Sequence, residues 1–384
     1  MEYSLKNKEL KIYFSGSVST ENIETIKQEL QNIIDNNEYD NLILDFKDLK
    51  YISSVGLRLL LKLKQSHNNF HIVEVNDDVY EILSMTGFNE IMDIMRQLKE
   101  IDVSNAEIIG SGYFSTVYRI DKDTIVKVFN RVSDDDQIDR ELKLAKEAFV
   151  LGIPTAISFD VVKVNDKYGL RFEMLDCISL KDAFKNNIYN YDDLVDKYAN
   201  LLITINSTPC DDELIPNMND FYHQKLEDIK EILDESDYLK LKKMMEGIDN
   251  SNTLVHGDCH FKNIMIQNDE FLLIDMDTLS VGNPIFELSQ IRAAYVGYEE
   301  DEPGNCERFF GLSAEFCKKL YEDIVLKYLG SVQQENLDKI AMVCYLHMLW
   351  WNQMNESDNI VRLNGCKSRL ISLLKKYDNL ILDK

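Results

Sequence analysis

His256-Gly-Asp-Cys-His-Phe-Lys-Asn263, followed by Leu272-Leu-Ile-Asp-Met-Asp277, is the stretch from which the rest of the chain is read. The first part follows the apolar Thr253–Val255 and precedes a strand-like Ile264–Ile266; the second ends an apolar strand in a carboxylate. Phosphoryl transfer needs a carboxylate near the incoming hydroxyl and oxygen ligands for magnesium. Asp258 suits the first task and Asn263 the second. His256 fits a role in bracing the loop rather than titrating, and His260 the same. Asp275, a charge placed after a run of apolar residues, is costly unless partnered, and a metal is a natural partner. A polar loop and a strand-ending turn residue are the plainer readings of each part alone. They do not explain why these residue types fall together in this order.

Upstream, three further pieces stand in the order a kinase requires. Gly110-Ser-Gly-Tyr-Phe-Ser-Thr-Val117 lies between candidate strands. Glycines let a backbone approach phosphates and leave amides free to bind them, and Ser111 and Ser115 add hydroxyls. A plain hairpin turn explains a lone Gly110-x-Gly112 equally well. Lys127 sits inside the apolar Ile-Val-Lys-Val-Phe strand, either as an outward edge residue or as the lysine that holds α and β phosphates. Its helix partner is then Glu141, with Glu147 as the fallback; each alone reads as a surface carboxylate.

Composition narrows the classes. The 384 residues carry 42 Lys+Arg against 67 Asp+Glu, a formal net charge of −25, and a length prior of roughly 100–200 residues per domain predicts two or three domains. Phosphate backbones need basic clusters, so nucleic acid is not an expected partner. With 45% hydrophobic residues the chain has material for real cores. Seven scattered cysteines without a CxxC pair fit a reducing compartment rather than zinc or disulfides. Met1–Ile12 has no apolar h-region, and no apolar run approaches the roughly 20 residues of a membrane span. A cytoplasmic protein without membrane association is the expectation.

Residues 1–100 alternate strand and helix patterns. Strands are predicted at Leu10–Phe14, Leu42–Phe46 and Phe70–Val75. Helices are predicted from Ile23 to Ile34 behind Ser19 and Thr20 as caps, from Ser53 and Ser54 through Leu57, Leu60, Leu61 and Leu63, and from Val79 to Met85. Such alternation implies βαβ units with a mainly parallel or mixed sheet. The style changes near Glu100–Ser104. Ile108–Val117 and Thr124–Phe129 read as a strand, a glycine turn and a second strand. A helix at Asp139–Val150 and a hairpin of Phe159–Val164 with Tyr168–Met174 follow. Beyond Asp176 helices dominate, apart from short strands at Asn263–Ile266 and Phe271–Ile274. The outline is α+β, with a small β-rich lobe at about 105–175 and a helical lobe at about 176–384.

The ordered motifs HGDCHFKN and LLIDMD resemble the signature of the aminoglycoside phosphotransferase and choline kinase superfamily. The resemblance covers roughly Glu107 to the C-terminus and implies a bilobal, protein-kinase-like fold at 105–384. It implies ATP and Mg²⁺ as cofactors, Asp258 as catalytic base, and Asn263 and Asp275 as metal ligands. Gly110, Ser111, Gly112, Ser115, Lys127 and Glu141 then form the nucleotide side. Gly282-Asn-Pro-Ile-Phe-Glu287-Leu is similar too, although Glu287 stands where the family usually has Asp. The acceptor falls to the variable helical region. There the acidic Glu299–Glu302 reads either as an attractor for a cationic amine or as a solvated loop, and Trp350 with Trp351 as a ligand wall or as helix packing.

Leu44-Asp-Phe-Lys-Asp-Leu-Lys-Tyr-Ile-Ser53-Ser54-Val-Gly56-Leu57 resembles the STAS domain of bacterial anti-sigma-factor antagonists, over about residues 1–100. In signalling members a hydroxyl at the start of that helix, within D-S-S-G, is phosphorylated. Ser54 is the residue that aligns as phosphoacceptor, where a phosphate would face free helix amides. Ser53 replaces the usual Asp and Val55 the second hydroxyl, and either serine also reads as a helix cap. The resemblance implies regulation or recruitment of a protein partner. Three functions follow: a kinase for a small-molecule hydroxyl, a signalling kinase that phosphorylates Ser54 in cis or in trans, or a non-catalytic nucleotide-binding STAS protein.

Overall fold

Leu42, Leu44 and Phe46 are fully buried, because the strand that carries them is covered on both edges and on its inner face. In this computed structural model the strand is β3 (Asn41–Ile52), longer than its apolar core. It lies between β2 (Glu9–Val18) and β4 (Phe70–Val75), parallel to both. β1 (Glu2–Lys6) is antiparallel to β2, and β5 (Asp93–Arg96) is parallel to β4, giving the order β1-β2-β3-β4-β5. The crossovers are α1 (Ile23–Asp35), α2 (Ser54–Ser66) and α3 (Asp77–Met85). Leu57, Leu60 and Leu63 repeat at helical spacing, so one face of α2 is buried in a single core with Leu30, Phe46 and Ile72.

The structure describes residues 1–112, 114–130, 135–211, 215–331 and 333–382, the side chains of 135 and 136 apart. The chain divides into two compact units, residues 1–104 with 161–167, and 105–160 with 168–384. A short β6 (Lys99–Glu100) closes the N-terminal segment.

In the second unit β7 (Glu107–Ser111), β8 (Ser115–Arg119) and β9 (Thr124–Phe129) form an antiparallel meander. The glycine loop joins β7 to β8, so it lies between two strands as expected; Tyr113 lies outside the described residues. α4 (Asp135–Val150) follows, then β10 (Ser158–Val164) and β11 (Lys167–Glu173), which pairs with β9. The helical part is built from β12 (Ile178–Ser179), α5 (Leu180–Lys185), α6 (Tyr191–Ser207), α7 (Met218–Asp228) and α8 (Glu235–Glu246). Next come β13 (Leu254–Val255), β14 (Ile264–Gln267), β15 (Glu270–Leu273) and β16 (Ser280–Val281). The last elements are α9 (Pro284–Arg292), α10 (Tyr298–Asp301), α11 (Asn305–Phe310), α12 (Ala314–Leu329), α13 (Gln334–Asn355) and α14 (Ile360–Leu374). α13 is buried nearly all round, from Ile340 to Leu349, as the central helix of such a body must be.

Two local expectations change, and β1 is an addition to them. Tyr3 and Leu5 of β1 alternate with polar residues but both stay exposed, so the ladder to β2 and the Ser4–Tyr13 hydroxyl contact hold the strand. α1 begins after Asn22, whose carboxamide oxygen accepts from the Ser19 amide at 2.9 Å, so neither Ser19 nor Thr20 is the cap residue. Ser53 is the residue before α2, yet it makes no capping hydrogen bond and, among the described residues, its buried Oγ has no partner.

Candidate active site

Strand alternation sends Val126 and Val128 into the core and leaves Lys127 on the other face of β9. Its Nζ donates to Glu141 Oε1 at 2.6 Å and to Asp275 Oδ1 at 2.6 Å. The Lys127 and Glu141 side chains are 14% and 7% exposed, so this is a largely desolvated pair. Burial alone would depress the ammonium, but Asp275 and Glu141 outweigh it and hold it well above its ordinary value. Glu141, rather than Glu147, is the helix partner. In the glycine hairpin the Gly112 amide donates to the Ser115 carbonyl at 2.9 Å, and Asn130 Nδ2 donates to the Gly112 carbonyl at 3.2 Å. Among the described residues a Cβ at Gly110 or Gly112 meets nothing nearer than 3.6 Å, so packing against them requires neither glycine.

The His256–Asn263 loop is held by hydrogen bonds at every turn. Glu287, fully buried in the first turn of α9, accepts from the His256 amide at 2.6 Å and the Gly257 amide at 3.3 Å. α9 is set for this by its Asn283 cap and the proline at its start. Gly257 has φ +82°, and a Cβ there would lie 3.1 Å from the Thr278 carbonyl oxygen, so glycine is required. His256 Nδ1 accepts from the Asp258 amide at 3.2 Å, which leaves the ring proton on Nε2, 3.3 Å from the Ile274 carbonyl. Burial holds its pKa down to about 4, so it braces the loop as a neutral ring. Asn263 Nδ2 donates to the carbonyl and to Oδ2 of Asp258 at 3.0 and 2.9 Å. Both amide hydrogens are spent, and its carbonyl oxygen remains for another partner. His260 Nε2 stands 3.6 Å from Asp258 Oδ1, beyond a hydrogen bond.

Asp275 adopts φ 70° and ψ 70°, a left-handed conformation that costs a non-glycine residue about 1–2 kcal/mol and turns its carboxylate to Lys127. Burial works against its charge, yet Lys127 holds it below the usual carboxylate range. Asp258 is pushed up to about 7, first by burial and then by Asp275. Asp277 is pushed up to about 8 by burial, then by Asp275. The Asp258 and Asp275 side chains remain 47% and 38% exposed: they lie where dense protein surrounds them but water still arrives, so solvent moderates the upward push. The cluster thus holds more carboxylate than Lys127 neutralises. Its free oxygens, on Asn263, Asp275 and Asp277, are the hard donors magnesium takes, with one or two carboxylates sufficing beside phosphate and water. The residues fit that ion.

A cavity of about 690 Å³ opens beside Asp258 and Asp277, within the range of small-molecule sites. Trp350 and Trp351 line it, so they serve as wall, while Trp350 Nε1 also donates to Asp228 at 2.9 Å. Room near Asp258 comes from Ala293 and Ala294, in a π-turn (Ala293–Gly297) between α9 and α10. The acidic run is spent on structure: Glu299 caps the Gly304 and Cys306 amides, and Glu300 and Asp301 hold Arg292 and Arg369. Sequence reasoning missed Asp277, Lys225 and His347 as cavity residues; only Asp277, two positions past Asp275, carried a local signal. In the N-terminal unit Ser54 is exposed at the first position of α2.

A profile of the phosphotransferase enzyme family matches residues 105–305, and one of the STAS domain matches residues 5–101. No curated protein sequence matches the chain. Among solved structures, the gentamicin complex of APH(2'')-IIa is 15% identical, with a TM-score of 0.47, over 79% of this chain and 98% of that one. ADP-bound aminoglycoside phosphotransferase APH(2'')-Ib is likewise 15% identical, TM-score 0.47, over 79% and 99%. A choline/ethanolamine kinase family protein from Mesorhizobium loti is 12% identical, TM-score 0.44, over 71% and 93%. Since the first profile spans more than half of the 384 residues, the chain belongs to the phosphotransferase enzyme family and carries a STAS domain ahead of its phosphotransferase domain.

Proposed function

We propose that the chain is an ATP- and Mg²⁺-dependent kinase for a hydroxyl of a small molecule, with residues 105–384 as kinase and 1–100 as regulatory or recruiting module. One observation carries the reading: Asp258 belongs both to the wall of the cavity and to the carboxylate cluster that Lys127 anchors. In this reading Lys127, oriented by Glu141, holds the α and β phosphates, and the amides and hydroxyls of Gly110, Ser111, Gly112 and Ser115 cover them. Asp258 takes the proton of the acceptor hydroxyl, and a carboxyl near 7 is suited to that task at neutral pH. Asn263 and Asp275, with Asp277 beside them, hold Mg²⁺, which when bound neutralises phosphate charge. Seven free thiols suit the cytoplasm.

The test is phosphoryl transfer by the purified full chain, with Mg²⁺ and ATP, to sugars, polyols, hydroxy acids and amino alcohols. Transfer that Asp258→Asn abolishes supports the reading; no transfer by the wild type defeats it. A second reading concerns Ser54, whose exposed position at the start of α2 presents helix amides to a phosphate. We propose it as the phosphoacceptor of the STAS module, and an unmodified Ser54 in mass spectra after incubation with ATP and an active kinase removes the cis and trans phosphorylation by this chain.

A further inference from the structure

We infer that the cavity beside Asp258 selects hydroxyl compounds carrying an anionic group, a carboxylate or a phosphate, and that Lys225 is the residue that pairs with it. The inference rests on the kinase reading above and adds the class of acceptor.

Three observations carry it. First, Glu302 and Glu356, the acidic lining residues apart from Asp258 and Asp277, are spent. Glu302 pairs with Arg308 at 2.8 Å and Glu356 with Arg362 at 2.6 Å, so neither is free for a cationic amine. Second, the aromatic wall is already faced by the protein's own cations. The Arg362 guanidinium lies 5.6 Å from the Tyr298 ring and 5.7 Å from Trp351, and the Lys262 ammonium 3.5 Å from Phe309. A ligand ammonium seeking those faces would compete with charges of its own sign.

Third, Lys225 is a cation without a counter-ion. It lines the cavity from α7, with its ammonium 4.4 Å from the Tyr222 ring and 5.1 Å from Trp350. Its polar partner is His347 Nδ1 at 3.0 Å, and no carboxylate pairs with it among the described residues. His347 is kept neutral by burial first and by Lys225 second, so its ring accepts one ammonium hydrogen. Two remain for a ligand. Burial also holds the Lys225 pKa down to about 8, consistent with an ammonium that lacks an anion. A desolvated ammonium gains most from an anionic partner bound in the same dry wall. In the kinase reading Asp258 meets the acceptor's hydroxyl, and Lys225, which lines the same cavity, meets its anion.

The experiment uses the full chain with Mg²⁺ and ATP and four probes on one skeleton: glucuronate, glucose 6-phosphate, glucose and glucosamine. The broader panel above runs in parallel, sorted by charge. The expected result is that anionic acceptors exceed their neutral partners at least tenfold in kcat/KM and that Lys225→Met removes that preference through KM. Lys225→Arg retains it. Carboxylate and phosphate arms tell which anion is taken. Preference for neutral or cationic acceptors, or a preference that survives Lys225→Met, overturns the inference while leaving the kinase reading intact. Absence of transfer to every compound defeats the kinase reading instead. Calorimetric binding of the four probes to wild type and Lys225→Met then decides the anion site by itself, and equal binding by both proteins overturns it. Melting curves of both variants show that the comparison is between folded proteins.

Discussion

Replacing Asp258 by asparagine removes a proton-accepting oxygen and little else. Asn263 Nδ2, 2.9 Å from Asp258 Oδ2, still finds a carbonyl oxygen there, and the new amide nitrogen falls toward His260 Nε2, 3.6 Å from the present Oδ1. One negative charge leaves a cluster in which Asp258 and Asp277 are both pushed up, burial and Asp275 being the leading causes. Stability should therefore move by no more than about 1 kcal/mol, or within about 4 °C in Tm for a domain of this size, and any change should be upward. The chemical step should suffer: loss of a positioned general base costs about 10²–10⁴ in kcat, or roughly 2.7–5.4 kcal/mol of barrier. KM for ATP should hold, because the Lys127 ion pairs are untouched.

The pH profile separates a lost base from a lost fold. Asp258 must be ionised to take a proton, and its pKa is raised to about 7. Wild-type kcat/KM for the acceptor should then rise about tenfold per unit below that pH and level off above it. The asparagine variant should lack this acid limb. The assay is ADP release coupled to NADH oxidation, with product phosphate confirmed by mass spectrometry. A variant rate within tenfold of wild type, or an acid limb that persists in the variant, would refute the assignment of Asp258 as base.

Lys127→Met leaves Glu141, 7% exposed, without its cation; KM for ATP should rise at least about tenfold, and stability should fall by about 3–5 kcal/mol at pH 7, with part of the loss recovered as the pH is lowered, because burial already pushes the Glu141 carboxyl up and favours its protonated form. Glu287→Ala strands the His256 and Gly257 amides at about 1–3 kcal/mol each, so both Tm and transfer should drop, while Glu287→Gln should lose less. Mg²⁺ with ATP should raise Tm and chelation should stop transfer; in Asp275→Ala the increment in Tm should vanish. In the STAS domain, Gly56→Ala places a Cβ 2.6 Å from Ile52 Cγ1 and 2.7 Å from Val18 Cγ1, and chemical denaturation should show a loss of about 1–3 kcal/mol from overpacking.

How far the sequence could be read depends on the range of the interaction that places each residue. Leu42, Leu44 and Phe46 announce β3 because alternation is local, and Leu57, Leu60 and Leu63 announce α2 for the same reason. β1 escapes such reading because its alternation is only Tyr3 and Leu5, both exposed, and the pairing with β2 is what places it. In the site, the loop around Asp258 is legible because its bonds span a few residues: His256 to Asp258, and Asn263 to Asp258. Glu287 could be located by its motif, but not its task, since the amides it binds lie 31 and 30 residues away in the chain. Lys225 left no mark at all: its meeting with His347 spans 122 residues, and nothing around it in α7 sets it apart from other helix lysines.

The acidic run Glu299–Glu302 gives the converse lesson, and it bears on substrate. A sequence shows the charge of four carboxylates but not the donors folded against them. Here Glu299 faces backbone amides, Glu300 and Asp301 face Arg292 and Arg369, and Glu302 faces Arg308. Each pairing removes most of the field that the run would project into the cavity, because a paired charge acts at a distance only as a dipole. The net charge of −25 therefore says little about what the cavity binds. The charge that counts there is one that no carboxylate neutralises, and among the described residues the ammonium of Lys225 is such a charge in the cavity wall.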